Sequence, residues 1–565
     1  MQRIKKRLLP VLLCAFAVSF TPFVFGPVDI FAGNRVEFTF AVSDFIWPLL
    51  LIALGVTAVV TAVLMLLPDK AYRVVLALLA GASAMGVVQS WFLNKGASSL
   101  PSGDMVAQIG VPNLIVSTVV WLAVLGFCVF AVLKDNWQDM ADTVTVVLLV
   151  VLVGMGVVGL VSDLIAVQSP AGTGDEAEVE PGVNYLSTDG LATVAPDKNV
   201  IVFILDRFDI QYHDDVEASD PAFFAPLSGF TYFSDNISYF SATYPSIAHL
   251  ITDTKQDFGE SASDYFNKAY RDSAFLSDLH DNDYAIRVYT GSYYAYRDGT
   301  SSLRTYIENA AVTGSYVVTD RGELVRQMTV LSAYRYAPSL LKLCFPESWF
   351  NFDSVTDVSD NGESVYVLDD VAFGETVSGG LSLQQSGQKN AYIFYHLTGC
   401  HPPLYMDETG ARVEKATTVQ SCKGCFNIIY AYIDELKRLG LYEDATIIIT
   451  GDHSQGFSDV EGAAPVNGTA LFVKPAGRAD EPLAASTAQV SDENLFAAIV
   501  KSAGIATSHD YGRGYFDIPE GETVPRYMVR FEEAKRGIHY TVEGPWVDRA
   551  NWTETGRDRF DDFYR

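Results

Sequence analysis

The residues of this chain best suited to chemistry are a threonine, two aspartates and two histidines in a fixed order. Thr243-Tyr244-Pro245-Ser246 places a hydroxyl two residues before a proline. Asp206 directly follows the apolar run Asn199 to Leu205, and Asp452-His453 follows the run Ala445 to Thr450. His401 stands before a stiff Pro402-Pro403. Carboxylate oxygen beside imidazole suits a cation of the zinc or manganese kind. A cation held by Asp206, Asp452 and His453 would orient a hydroxyl and lower its pKa. Thr243 is the candidate for that hydroxyl, attacking phosphorus and forming a phospho-threonine. His401 then either donates a proton to the departing oxygen or binds a phosphate oxygen. Taken singly, each piece has a plain structural reading, as a strand-end cap or a loop histidine. Their joint order and their placement at strand ends carry the inference. Ser246 reads as a turn or helix-cap residue, and Ser241 as a competing nucleophile. Arg207 and Asp209 read as surface or sheet-edge charges.

These groups need elements to hold them. Asn199 to Leu205 is continuously apolar and of strand length, which fits a strand buried on both faces of a parallel sheet. Ala391 to Tyr395, Ala445 to Thr450 and Ala470 to Val473 read the same way. Between the second and third runs, Gly424 to Leu439 alternates with helical period. Strands interleaved with helices predict an α/β domain with a mostly parallel central sheet, whose sites lie past the carboxyl ends of strands. This domain is expected over 198–510, with 511–565 as a C-terminal extension. Residues 300–385 interrupt the pattern with a helical stretch at 321–343 and with Trp349 and Phe350. They read as a cap over the site or a peripheral insertion.

Residues 1–166 have another character. Five apolar segments, at about 8–28, 45–67, 72–93, 112–133 and 143–165, are each long enough to cross a bilayer. Arg3, Lys5, Lys6 and Arg7 precede the first and favour a cytoplasmic N-terminus. Five spans then put the large C-terminal region outside the cell, as do four if the first is a cleaved signal peptide. Residues 167–197 are rich in Gly, Pro and acidic side chains and read as a linker. The net charge of −29 lies almost wholly beyond the apolar part, which argues against nucleic acid as a partner. Of the six cysteines, Cys344, Cys400, Cys422 and Cys425 are expected outside, where a disulfide such as Cys400–Cys422 is allowed. Cys422-x-x-Cys425 lacks the second pair of a zinc site and a thioredoxin-like context.

Leu205-Asp206-Arg207, Thr243-Tyr244-Pro245-Ser246 and Gly451-Asp452-His453-Ser454 together resemble the alkaline phosphatase/sulfatase superfamily. In that superfamily a strand-end acidic residue, a Cys/Ser/Thr-x-Pro-Ser nucleophile and a late Asp-His recur in this order. The resemblance covers about 198–510. It implies metal roles for Asp206, Thr243, Asp452 and His453, and substrate binding for His401. Sulfatases convert Cys or Ser to formylglycine. Threonine carries a methyl on Cβ and cannot give that aldehyde, so sulfatase activity is not expected. Five spans before such a domain resemble lipoteichoic acid synthases and related phosphoglycerol or phosphoethanolamine transferases. Two departures stand out: Asp206 replaces the usual Glu of the lipoteichoic acid synthases, and no further histidine lies between His453 and His509. The resemblance thus implies a multi-pass cell-membrane transferase with an extracytoplasmic catalytic domain and one divalent cation: manganese, or else zinc or magnesium. It would move a phosphoglycerol-type headgroup from a phospholipid donor to a cell-surface glycan. The alternatives are a phosphoethanolamine transferase, a metal-dependent phosphodiesterase or phosphatase, and a non-catalytic membrane scaffold.

Overall fold

A computed structural model describes residues 2–34, 38, 40–94, 109–168, 183–257, 259–296, 300–313, 316–345, 352–358, 364–385, 387–454, 463–532 and 536–559. Trp349, Phe350 and much of the expected linker lie outside these residues. The chain divides into two compact units, one of residues 1–174 with 316–357, the other of residues 175–315 with 358–565. The stretch 300–385 is therefore split, and its middle belongs with the apolar N-terminal helices.

Among the described residues of the first unit, five helices are long and apolar enough to cross a membrane: α1 (Lys6–Gly33), α2 (Val42–Leu66), α3 (Asp69–Leu93), α4 (Val111–Leu133) and α5 (Gln138–Ile165). Large apolar side chains such as Leu51, Leu122 and Val158 point outward from them, the reverse of a water-soluble bundle. The expected helix at 321–343 is two helices, Arg321–Tyr336 and Ser339–Lys342. Pro338 separates them, because its ring disfavours helical backbone in the residue before it. Leu324, Met328 and Leu331 of the longer helix pack with Val28 and Phe31 of α1 and Phe45 of α2.

The second unit is built on a sheet of seven described strands: β1 (Asn199–Leu205), β2 (Thr231–Phe233), β3 (Tyr284–Tyr289), β4 (Asn390–Leu397), β5 (Thr446–Thr450), β6 (Leu471–Lys474) and β7 (Ala484–Ser486). Their spatial order is β7-β2-β6-β5-β1-β4-β3. Only β6 runs against the rest, so the sheet is mostly parallel, as expected. Every residue of β1 is buried. Val200, Val202 and Ile204 enter one core, and Ile201, Phe203 and Leu205 enter the other. This two-residue alternation into two cores is why the run reads as continuously apolar. On the first face lies α6 (Thr243–Thr252), through Tyr244 and Ile247. On the second lies α7 (Thr418–Leu439), through Phe426, Ile429 and Tyr432. The C-terminal extension forms an antiparallel sheet of β8 (Arg526–Glu532), β9 (Arg536–Val542) and β10 (Trp552–Arg559).

Candidate active site

Three adjacent strands, β5, β1 and β4, end together. The register pairs Ile204 with His396 on one side and with Thr450 on the other. Asp206, His396 and Asp452 therefore emerge at one edge. Arg207 takes a left-handed conformation, with φ of 60°, which is unusual for a residue with a side chain. Its backbone N–H donates to Asp452 Oδ1 at 3.0 Å, tying the β1 and β5 loops together. The β4 loop comes equally close. Gly399 has φ of +62°, and a Cβ there would meet Asp206 N at 2.6 Å and Leu205 C at 2.8 Å. Gly399→Ala combines left-handed strain with a backbone clash and is expected to destabilise the protein by about 2–4 kcal/mol. Thermal unfolding of the detergent-solubilised full chain checks this.

The expected residues converge. Thr243, at the start of α6, donates through Oγ1 to Asp206 Oδ2 at 3.4 Å and sits 3.2 Å from His453 Nε2. His453 Nε2 is 3.8 Å from Asp206 Oδ1 and 3.6 Å from Asp452 Oδ2. His453 Nδ1 faces the carbonyl of Ser454 at 2.8 Å. The tautomer satisfying that contact carries its proton on Nδ1 and turns the Nε2 lone pair toward Thr243 and the carboxylates. A further residue joins them: His396, fully buried, has its Nε2 3.8 Å from Asp206 Oδ2 and its Nδ1 2.9 Å from Thr290 Oγ1. One ligand atom each from Asp206, His396 and Asp452 lies within 4.8 Å of the others.

Asp206 Oδ1, Asp452 Oδ2 and His396 Nε2 are buried without a hydrogen-bond partner. Such groups are costly unless something satisfies them. Burial works to raise the Asp206 carboxyl, but the imidazoles of His401, His396 and His453 outweigh it and hold it at about 2. The Asp452 carboxyl is raised, first by burial and then by the charge of Asp206. Two carboxylates forced together with unsatisfied oxygens and inward-facing imidazole nitrogens fit a divalent cation. The described ligand atoms that come together are those of Asp206, His396 and Asp452, with Thr243 Oγ1 and His453 Nε2 beside Asp206.

His401 is held by a braced loop. The buried Asp370 carboxylate accepts from Thr398 N at 2.8 Å and Gly399 N at 2.9 Å. Ser421 Oγ donates to the Gly399 carbonyl at 2.8 Å. Cys400 forms a disulfide with Cys422 on α7, their Cα atoms 5.9 Å apart. Cys425 remains a buried thiol, its Sγ 3.6 Å from Asp370 Oδ2, so Cys422-x-x-Cys425 divides into one bridge and one free cysteine. His401 Nδ1 faces the Pro402 carbonyl. Its pKa is lowered by burial; Asp206 opposes the shift, and Arg207 and His453 add to it.

Ser241 is not placed as a rival nucleophile. Its hydroxyl accepts from the Phe531 N–H at 2.9 Å. Ser241 N donates to the Val529 carbonyl at 3.2 Å, and Val529 N to the Tyr239 carbonyl at 2.7 Å. Strand β8 thus grips the segment just before Thr243, giving the C-terminal extension a positioning role. Ser241→Ala removes the acceptor for Phe531 N–H and is expected to lower stability by about 1 kcal/mol. It should leave any phospho-adduct on Thr243 detectable by mass spectrometry. Ser246 is buried inside α6 and reaches the Phe240 carbonyl at 3.5 Å, so it does not cap the helix. Asp209 is buried and caps the helix Ile210–Ser219, accepting from Tyr212 N at 3.0 Å.

No protein-family model and no curated protein matches this sequence. Solved structures do match. The lipoteichoic acid synthase LtaP from Listeria monocytogenes is 12% identical with a TM-score of 0.33, over 65% of this chain and 88% of that one. The phosphonate monoester hydrolase SpPMH from Silicibacter pomeroyi is 15% identical with a TM-score of 0.35, over 63% of this chain and 88% of that one. A protein of the alkaline phosphatase superfamily from Vibrio parahaemolyticus is 10% identical with a TM-score of 0.36, over 68% of this chain and 84% of that one.

Proposed function

We propose that the protein is a multi-pass membrane transferase. It would take a phosphoglycerol-type headgroup from a phospholipid, hold it as a phospho-threonine on Thr243, and pass it to an extracytoplasmic glycan. The observation that carries this reading is the Thr243 hydroxyl, held at a helix start between Asp206 and His453 in a cluster of orphaned buried ligand atoms. Asp206, Thr243, Asp452 and His453 would hold one divalent cation, with His396 as a further donor. When bound, the cation would neutralise charge on the phosphoryl oxygens and acidify the hydroxyl.

The chain's own residues then do the following. Asp206 and His453 fix the direction of Thr243 Oγ1. That oxygen attacks phosphorus, the bond to the diacylglycerol oxygen breaks, and diacylglycerol leaves carrying the proton from Thr243. Burial disfavours the charged form of His401, and the tautomer that donates from Nδ1 to the Pro402 carbonyl leaves a lone pair on Nε2. It takes the proton of the incoming glycan hydroxyl as that oxygen attacks the phospho-threonine. The bond to Thr243 Oγ1 breaks, and the proton returns to Thr243. A membrane anchor supports this donor, since tethering a site at the bilayer raises the effective concentration of a lipid substrate.

The test is release of diacylglycerol by the solubilised full chain from fluorescent phosphatidylglycerol or phosphatidylethanolamine, each with manganese. Release from phosphatidylglycerol alone is expected. Release from phosphatidylethanolamine alone would move the reading to a phosphoethanolamine transferase. Release of the free headgroup phosphate into water with no acceptor requirement would make the protein a phosphodiesterase. No release from either lipid would overturn the transferase reading.

A further inference from the structure

The turn between helices Arg321–Tyr336 and Ser339–Lys342 is built for an apolar surrounding. Several of its polar groups are met from within by the apolar helices, while the Tyr336 hydroxyl is buried without a partner. The Arg335 carbonyl accepts from Asn94 Nδ2 at 2.9 Å, and Ser339 N donates to Ser117 Oγ at 3.0 Å. The Arg335 guanidinium pairs with Asp29 at 2.8 Å and donates to Ser90 Oγ at 2.9 Å. Gln89, fully buried, joins the set: its Nε2 reaches Ser339 Oγ at 3.3 Å, and its Oε1 accepts from Ser117 Oγ and Trp121 Nε1. The outward side is the opposite. Leu340, Leu341 and Leu343 are 47%, 52% and 39% exposed. Lys342 between them is turned inward, 1% exposed, with its Nζ 4.4 Å from the Tyr334 ring centre. Backbone groups met by side chains from inside and leucines outside match a hydrocarbon solvent, where an unmet backbone group is prohibitive.

The contacts also fix depth and side. Asp29, Gln89 and Ser90 lie near the ends of α1 and α3, and Ser117 near the start of α4. Leu160 and Leu164, near the end of α5, pack in the same cluster as Leu324 and Leu331. All these positions share one end of an up-and-down bundle. Ser117 is six residues past Val111, about 9 Å along the helix axis, so Ser339 sits below the helix ends. Val111 and Ile115, on the same first turns of α4, are likewise exposed.

We propose that residues 335–343 form a re-entrant element, with Leu340, Leu341 and Leu343 against phospholipid acyl chains in the leaflet where α1, α3 and α5 end. The sequence that interrupts the α/β unit would thereby anchor it in the bilayer a second time. This goes beyond the proposed reaction and rests on the apolar helices crossing a bilayer. The test uses the full chain in phosphatidylglycerol–phosphatidylethanolamine vesicles, with photoreactive benzoylphenylalanine placed at position 341 or, as reference, at position 122 on α4. Intact-mass spectrometry after irradiation reads phospholipid adducts. The expected adduct yield at 341 is within threefold of that at 122. A yield below one tenth, with 122 still labelled, overturns the re-entrant element and leaves the spans standing. Absence of adducts at both positions overturns the spans and the element together.

Discussion

Thr243→Ala is expected to abolish diacylglycerol release, with a fall of about a thousandfold or more, because the atom that bonds to phosphorus is gone. Thr243→Ser keeps the hydroxyl but loses the β-branch that restricts χ1. Its oxygen spends less time between Asp206 and His453, and a fall of about tenfold is expected. The ordering, Ser well above Ala, separates a nucleophile from a threonine that merely packs. Mass spectrometry adds a second readout: the headgroup phosphate on the peptide containing Thr243 in the wild type, and none in Thr243→Ala. If Thr243→Ala turned over lipid like the wild type, the nucleophile assignment would be lost whatever the fold.

Asp452→Asn is expected to be inactive yet more resistant to unfolding than the wild type in chelator. Asp452 is fully buried, its Oδ2 lacks a partner, and Asp206 crowds it with like charge. In cation-free protein that arrangement is destabilising, and the amide removes it at nearly the same volume. Asn also retains an Oδ1 acceptor for the Arg207 N–H. Added manganese should raise the melting temperature of the wild type, since a ligand at a hundred times its Kd stabilises by about 2.7 kcal/mol. The same addition should do much less for Asp452→Asn. A variant that is less stable than the wild type in chelator would mean that the carboxylate is structural.

Much of the site was legible because its pieces sit at the ends of strongly patterned runs. Val200 to Leu205 and Ile447 to Ile449 are continuously apolar because both faces of β1 and β5 are covered, and Asp206 and Asp452 lie just past where each strand stops. His396 was hidden by the same pattern. The apolar run before it ends at Tyr395, but the strand continues through Leu397, so His396 looks like a boundary residue. Its neighbours Tyr395 and Leu397 face the α7 side, which turns His396 to the side carrying Thr243. Only the pairing with Ile204 reveals this, and pairing over that separation leaves no local trace. The grip of β8 on Tyr239 and Ser241 was invisible for the same reason. The insertion was legible as an interruption, but its partners Asp29, Gln89 and Ser117 lie more than two hundred residues upstream.

The division of the chain also bears on how the protein can be handled. The chain passes from one unit to the other at 174, at 315 and at 357, so no single cut separates them. A water-soluble version beginning at residue 183 would still carry Leu324, Met328 and Leu331 without the helices that cover them. An uncovered apolar face of that kind promotes aggregation. Excision of 316–357 with a short bridge between 315 and 358 would be needed as well, and the yield of monomer from the two versions would show whether that excision suffices.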